Sequence, residues 1–239
     1  LDENLEHVPT GAVYGFLSML PKIWRAYSHP LAEDEVFSLF ADVPLKVEHK
    51  KTKLYVCWEG GYKHRTAMFP AYKAHRRVVP EDQTKREEKE EALNALRAQR
   101  KSLQKILLVL GITQVRAPGF EADDALGAMA VRQAAEGKRV LIYTGDRDLH
   151  QCAAENIHIA AAQLKGGDMI WTAEEVEKEW SVPPSRVPEM KALCGDGGDG
   201  IPGCPGCGMG WAKKILAGTT LPEVLERAQA ELLTGTYEG

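Results

Sequence analysis

Apolar residues recur at helical spacing in GAVYGFLSML, where Val13, Phe16, Leu17 and Leu20 share one face and Thr10 supplies an N-cap. Pro21 predicts a perturbed helix or a fresh segment there. KLYVCWEG (53–60) is an apolar run ending at an acid, and reads as a buried strand closed by Glu59. A loop-like basic stretch follows, GGYKHRTAMFPAYKAHRRVVP. From Pro80 to Leu110, Leu93, Leu96, Leu103, Ile106, Leu107 and Leu110 recur at spacings of three and four, which predicts a long helix. Its first half, EDQTKREEKEE, is nearly all charged, as either a solvated face or a substrate-contacting one. Then come a short strand (ITQVRAPG), a helix (EADDALGAMAVRQAAEG), an apolar strand (KRVLIYTG), the start of a helix (DRDLHQCAA) and a strand (NIHIAA). Thr172 and Glu175 form a capping box for TAEEVEKEW. This alternation predicts an α/β fold with a mainly parallel sheet flanked by helices. Past Val182 the chain changes to helices joined by glycine-rich turns, which places a domain boundary there and divides the chain into 1–182 and 183–239.

Composition narrows the class. The 239 residues suffice for one sizeable core, or a main domain with a small appendage. With 44% hydrophobic and 27% charged residues, the chain reads as soluble and globular. No apolar run approaches the roughly 20 residues that span a bilayer, and LDENLEHVPTGAVYGF lacks the basic start and apolar core of a signal peptide. Five cysteines without disulfide-framework spacing favour a reducing cytoplasm. A net charge of −4 and a pI near 6.0 argue weakly against nucleic-acid binding. The distribution argues the other way: between Gly60 and Val79 there is no acid, while Lys63, Arg65, Lys73, Arg76 and Arg77 are basic.

The acids carry the chemistry. Glu59, then Glu121, Asp123 and Asp124 in GFEADD, Asp146 and Asp148 in YTGDRD, and Asp196 and Asp199 in GDGGDG form four short clusters. The first three clusters follow strands, so a parallel sheet brings them to one edge, outside its carboxyl ends. Taken alone, GFEADD is also what a helix N-terminus attracts. Four clusters together repel one another unless cations fill the gap. Oxygen ligands suit Mg²⁺ or Mn²⁺, and a two-metal site of this kind cleaves phosphodiesters.

GDGGDGIPGCPGCGMGWAKKIL (195–216) holds a second signal. Gly203, Gly206, Gly208 and Gly210 allow a tight hairpin, and the helix after it turns free amides toward a phosphate, with Lys213 and Lys214 adding charge. That arrangement grips a nucleic-acid backbone without reading bases. Cys204-Pro-Gly-Cys207 can be half a zinc site, a redox pair or two small packing residues; the packing reading is preferred, because only Cys194 is near enough in sequence to add a ligand.

In AVYGFL, YKHR…FPAYKAHR, GFEADD, YTGDRDL and the glycine hairpin, taken in that order, the chain resembles the 5′ nucleases: phage-type flap endonucleases and the 5′-nuclease domain of bacterial DNA polymerase I. The resemblance implies a PIN-like sheet with a C-terminal helix-hairpin-helix region. It implies a first metal held by Glu121, Asp123, Asp124 and Glu59, and a second held by Asp146, Asp148 and Asp199, with Asp123 shared and Asp196 close by. Lys73 and Arg76 would approach the scissile phosphate below a helical arch spanning about 73–105. Tyr72, Arg65, Arg77, Gly203, Gly206, Gly208, Lys213 and Lys214 would contact DNA, and the hairpin carbonyls can hold K⁺. The expected cofactors are two Mg²⁺ (or Mn²⁺). The expected partners are DNA with 5′ flaps or ends, bound without sequence preference, and a DNA polymerase; the expected state is a monomer. The chain departs from the family in having Glu59 where Asp is usual, Gly200 for a polar residue, and Cys204 and Cys207 for aliphatic ones. The family's first-strand Asp has no clear counterpart near Asp2. The expected function is therefore a metal-dependent 5′→3′ exonuclease and 5′-flap endonuclease. A rival is a homologue that binds branched DNA with little or no cleavage, supported by that missing acid; an RNA-cleaving PIN-like nuclease ranks last, since it would lack the hairpin.

Overall fold

The computed structural model describes residues 10–27, 52–78, 82–161 and 169–234. Asp2 and the basic stretch KVEHKKTK up to Lys51 lie outside the described residues, as does the side chain of Arg77. The chain forms two compact units, Leu1–Trp58 with Val78–Arg116, and Glu59–Arg77 with Ala117–Gly239.

In the first unit, helix α1 (Gly11–Tyr27) packs against α3 (Gln83–Val109), and strand β1 (Tyr55–Trp58) pairs in parallel with β2 (Thr113–Arg116). Pro21 sits inside α1, which runs on through it rather than breaking. The half-buried Val13, Phe16, Leu17 and Leu20 keep the expected face. The Ala12 N–H donates to the Gln99 side-chain carbonyl at 2.8 Å, satisfying one of the donors that α1 leaves open at its N-terminus. Leu103 and Leu107 of α3 are buried, whereas its charged first half is exposed. The Asp82 side chain caps α3 by accepting from the Lys85 amide at 3.1 Å. Across the β1–β2 pair, the Trp58 indole donates to the Gln114 side chain at 2.8 Å.

The second unit opens with α2 (Lys63–Met68), a 3-10 turn at Ala74–Arg77 and α4 (Ala122–Ala135). Strand β3 (Val140–Tyr143) pairs in parallel with β4 (Ile157–Ala161), which pairs antiparallel with β5 (Met169–Trp171), a short strand that the sequence pattern did not announce. DRDLHQC holds a 3-10 helix, Arg147–Cys152, rather than an α-helix, with the Asp146 side chain as its cap, accepting from the Asp148 amide at 2.9 Å. The Thr172 hydroxyl caps α5 (Ala173–Trp180), accepting from the Glu175 amide at 3.3 Å, while the Glu175 carboxylate pairs with Lys178. Helix α6 (Val187–Cys194) leads into a two-residue ladder, β6 (Gly195–Asp196) with β7 (Ile201–Pro202), and then α7 (Met209–Ile215) and α8 (Leu221–Thr234). One hydrophobic cluster joins Ile142, Ile157 and Ile159 of the sheet to Val176, Trp180, Val187, Met190, Ala212 and Leu216. Full burial stabilises each large aliphatic side chain by about 1.5–3 kcal/mol, so this cluster fixes the hairpin region onto the sheet. The buried His150 completes it, accepting from the Trp180 indole at 3.0 Å.

Candidate metal and nucleic-acid site

Seven of the eight sequence-selected acids line one cavity of about 430 Å³ in the second unit: Glu59, Glu121, Asp123, Asp124, Asp146, Asp148 and Asp199. Asp196 adjoins it, and ligand oxygens of Asp148, Asp196 and Asp199 lie within 4.8 Å of one another.

Local structure sets each position. Glu59 follows β1 directly, and the next residue, Gly60, is locked in place. Its amide donates to the Phe120 carbonyl at 2.9 Å and its carbonyl accepts from Gly119 at 2.8 Å. A Cβ at Gly60 would stand 1.8 Å from the Ala117 carbonyl oxygen, so only glycine fits this approach. Glu121 is the N-cap residue of α4, and its own amide donates to Asp124 at 2.8 Å. Asp196 and Asp199 sit on the hairpin loop, where the Asp199 amide donates to the Asp196 carboxylate at 3.1 Å. That loop depends on a glycine pair: a Cβ on Gly195 would lie 2.3 Å from the Gly203 nitrogen, and one on Gly203 would lie 2.3 Å from the Cys194 carbonyl carbon.

Cations thread through the acids. Arg65 forms a two-pronged clamp on Asp124, at 2.8 Å for each bond, and also donates to Glu121 at 2.7 Å. The buried Tyr72 hydroxyl lies 2.5 Å from Glu121 and 2.8 Å from Asp199. Lys73 pairs with Glu121 and lies 3.3 Å from Asp199; its own amide donates to the Asp199 carbonyl at 2.8 Å. Lys73 adopts φ 51°, a conformation rare outside glycine and concentrated at functional sites. Arg76 is half exposed, donating to the Gly198 carbonyl at 2.7 Å and lying 3.5 Å from Asp199. Lys191 of α6, which the sequence reading did not single out, joins Asp148 to Asp196.

The electrostatics divide these acids. Burial pushes the Asp123 carboxyl up to about 6, helped by the charges of Asp146, Glu59 and Glu121 and opposed by Lys73. Asp124 moves the other way: burial raises it, but the Arg65 hydrogen bonds, the Glu121 amide and the Arg65 charge outweigh burial and hold it below the usual carboxylate range. The Lys191 hydrogen bond holds Asp196 low against a smaller effect of burial. Burial, followed by hydrogen bonds to Glu121 and Asp199, raises the Tyr72 hydroxyl far above its ordinary value.

The hairpin residues take other places. Gly206 has φ 77°, Gly208 is the N-cap of α7, Lys213 donates to the Glu179 carbonyl at 2.6 Å, and Lys214 lies 4.9 Å over the ring of the exposed Trp211. Cys194 and Cys207 pack on the hydrophobic cluster as the packing reading expects, whereas Cys204 is exposed.

Residues 2–181 match the family described as the 5′-3′ exonuclease, N-terminal resolvase-like domain. The chain belongs to that family. A 5′-3′ exonuclease of Halalkalibacterium halodurans is 37% identical over 152 residues, which is 62% of this chain and 46% of that protein. A 5′-3′ exonuclease of Aquifex aeolicus is 29% identical over 188 residues, 79% of this chain and 52% of that one. The chain thus spans about half the length of these relatives. The flap endonuclease of bacteriophage T5, crystallised with DNA and metal ions, matches 94% of this chain and 72% of its own with a TM-score of 0.66 at 15% identity. That likeness shows the fold: an α/β arrangement of parallel strand pairs and helices, as the sequence pattern and the resemblance both implied. Among the described residues, no helix is long and apolar enough to cross a membrane.

Proposed function

We propose that the chain is a metal-dependent 5′→3′ exonuclease and 5′-flap endonuclease that hydrolyses DNA phosphodiesters. The observation that carries this reading is the charge balance of the cavity. Four cationic side chains, Arg65, Lys73, Arg76 and Lys191, stand among the eight clustered carboxylates and pair with five of them: Glu121, Asp124, Asp148, Asp196 and Asp199. The excess of four negative charges matches two divalent cations; the upward shift of Asp123 comes first from burial and then from the neighbouring charges of Asp146, Glu59 and Glu121. All-oxygen donors suit Mg²⁺ or Mn²⁺. Glu59, Glu121, Asp123 and Asp124 would hold one ion; Asp146, Asp148, Asp196 and Asp199 would hold the other. Ions bound there supply an activated water, stabilise charge on the scissile phosphate and steady the leaving 3′ oxygen.

The remaining roles belong to the chain. Lys73 and Arg76 present positive charge to the phosphate, where charge builds up during reaction. Lys73 is fixed for this by Glu121, Asp199 and its own backbone, whereas Arg76, bonded to Gly198 and beside Asp199, keeps half of its side chain open toward solvent, where a substrate would meet it. The Tyr72 hydroxyl, which stays protonated, has one proton to share between Glu121 and Asp199 and so holds the two carboxylates side by side. Arg65 holds Asp124 and Glu121 against their mutual repulsion. The hairpin with Gly203, Gly206 and Gly208, together with Lys213 and Lys214, would act as a helix-hairpin-helix anchor for duplex DNA and a K⁺ site, with 183–239 as a DNA-binding region following a nuclease domain over 1–182. Arg77 would add phosphate contact, and the charged segment around 73–105 would serve as the arch that admits a 5′ end. Binding would be sequence-independent and would weaken steeply with salt. A monomer working beside a DNA polymerase in a reducing cytoplasm fits this reading.

The test is cleavage of a 5′-flap substrate in Mg²⁺ by the wild type and by Asp146→Asn. The wild type cuts and the variant falls to background; equal cutting by both would refute the metal assignment.

A further inference from the structure

Outside the acidic cavity, thiol chemistry gathers at one turn. The Cys207 amide donates to the Cys204 carbonyl at 2.9 Å, with Pro205 second in the turn and Gly206 third at φ 77°. This is the pattern of a type II turn, whose first and last Cα atoms stand less than about 7 Å apart. A disulfide needs Cα atoms about 4.4–6.8 Å apart. The backbone therefore already stands where a bridge between these two residues requires it.

Neither metal binding nor packing accounts for the pair as well. The group of metal-ligating residues whose donor atoms come within 4.8 Å of one another is Asp148, Asp196 and Asp199, and no cysteine set meets that geometry among the described residues. Packing accounts for Cys194 and Cys207, which lie on the hydrophobic cluster, but Cys204 is exposed. The turn is also wired into the fold. The Cys204 amide donates to the Leu193 carbonyl at 2.8 Å, and the ladder next to it pairs Asp196 with Ile201.

We propose that Cys204 and Cys207 are a redox modification site, closing reversibly to a disulfide that clamps the hairpin. The oxidant is a small-molecule disulfide, RSSR. The exposed Cys204 thiolate attacks one of its sulfurs, forming a Cys204–SR bond and releasing RS⁻. The Cys207 thiolate then attacks the Cys204 sulfur, breaking that bond and releasing a second RS⁻. Two protein thiols lose two electrons, RSSR is reduced to two RSH, and these carry away both protons. Burial and the nearby Cys204 raise the Cys207 thiol, which leaves Cys204 as the first attacker. A reversible bridge of this kind suits the reducing compartment proposed for this chain, where disulfides are transient. Its consequence rests on the proposed duplex-anchoring role: a clamped turn loses less freedom on binding, so duplex affinity rises about two- to threefold on oxidation.

The experiment equilibrates the reduced chain with oxidised glutathione and reads it by tandem mass spectrometry. The expected product is lighter by about 2 Da, linked between Cys204 and Cys207 and restored by dithiothreitol. Closure fails in Cys204→Ser and in Cys207→Ser and persists in Cys194→Ser. A Cys194–Cys207 link, or a glutathione adduct on Cys204 that never closes, would overturn the site. Fluorescence anisotropy with a blunt duplex then compares the two forms; equal affinity would overturn the clamp. Neither readout uses cleavage, so failure of the nuclease reading would show in the flap assay alone.

Discussion

The two halves of the acidic cavity are held by different means. Around Glu121 and Asp124 the protein supplies most of the counter-charge itself: Arg65 clamps both, and Tyr72 and Lys73 add bonds to Glu121. Around Asp148, Asp196 and Asp199, whose oxygens converge, a flexible ammonium, Lys191, bridges the first two, while Asp199 meets Tyr72, Lys73 and the half-exposed Arg76. A rigid guanidinium fork preorganises its carboxylates, whereas an ammonium on a flexible stem is readily displaced. On the proposed two-metal reading, the Arg65 clamp sets Glu121 and Asp124 on folding, while Asp148 and Asp196 would settle only when a cation takes the place of Lys191.

Substitutions can break that contrast, beginning with the largest effect. Asp199→Ala removes an acid of the convergent trio and a partner of Tyr72 and Lys73, and flap cleavage in Mg²⁺ falls to background in a gel assay. Lys73→Ala lowers the single-turnover rate by about 10²–10³-fold, the range for losing one preorganised electrostatic donor, while duplex affinity measured by anisotropy stays the same. Arg65→Met leaves Asp124 and Glu121 facing each other and costs about 1–3 kcal/mol of stability in denaturant titrations. Added Mn²⁺ restores more stability to this variant than to the wild type. Lys191→Met acts in the opposite direction: without its resident cation, the second half binds Mn²⁺ about tenfold more tightly by calorimetry, about 1.4 kcal/mol.

The smallest effect is a control away from the cavity. Glu189 is held below the usual carboxylate range first by the Arg186 hydrogen bond, against a smaller opposing effect of burial, and then by the Leu221 amide. A depressed carboxyl contributes stability that is full above its unfolded value and is lost as pH falls through its folded one. Glu189→Gln therefore lowers the melting temperature at pH 7 and flattens its decline below the ordinary carboxylate range, without changing metal binding.

Three of the four acid clusters were legible because each follows an apolar strand, whereas Asp196 and Asp199 stood out only in a glycine-rich segment and through the family resemblance. The helix spanning Gln83–Val109 was legible from its apolar spacing of three and four. The groups that control the acids were not. Arg65 reaches Asp124 across 59 residues and Lys191 reaches Asp148 across 43, and no local pattern encodes such a distance. Gly60 looked like an ordinary loop glycine until its backbone contacts showed that no side chain fits there. Pro21 misled because the chain continues helical through it, although proline removes only one donor and tertiary packing can carry the rest. The 3-10 course of Arg147–Cys152 escaped because its one local signal, the Asp146 cap, is one that an α-helix uses equally.

The most direct test is the number of Mn²⁺ ions bound per chain, counted by electron paramagnetic resonance at saturating metal. The charge balance predicts two for the wild type and one for Asp199→Ala. No bound Mn²⁺, or the same count in both proteins, would contradict a two-metal site.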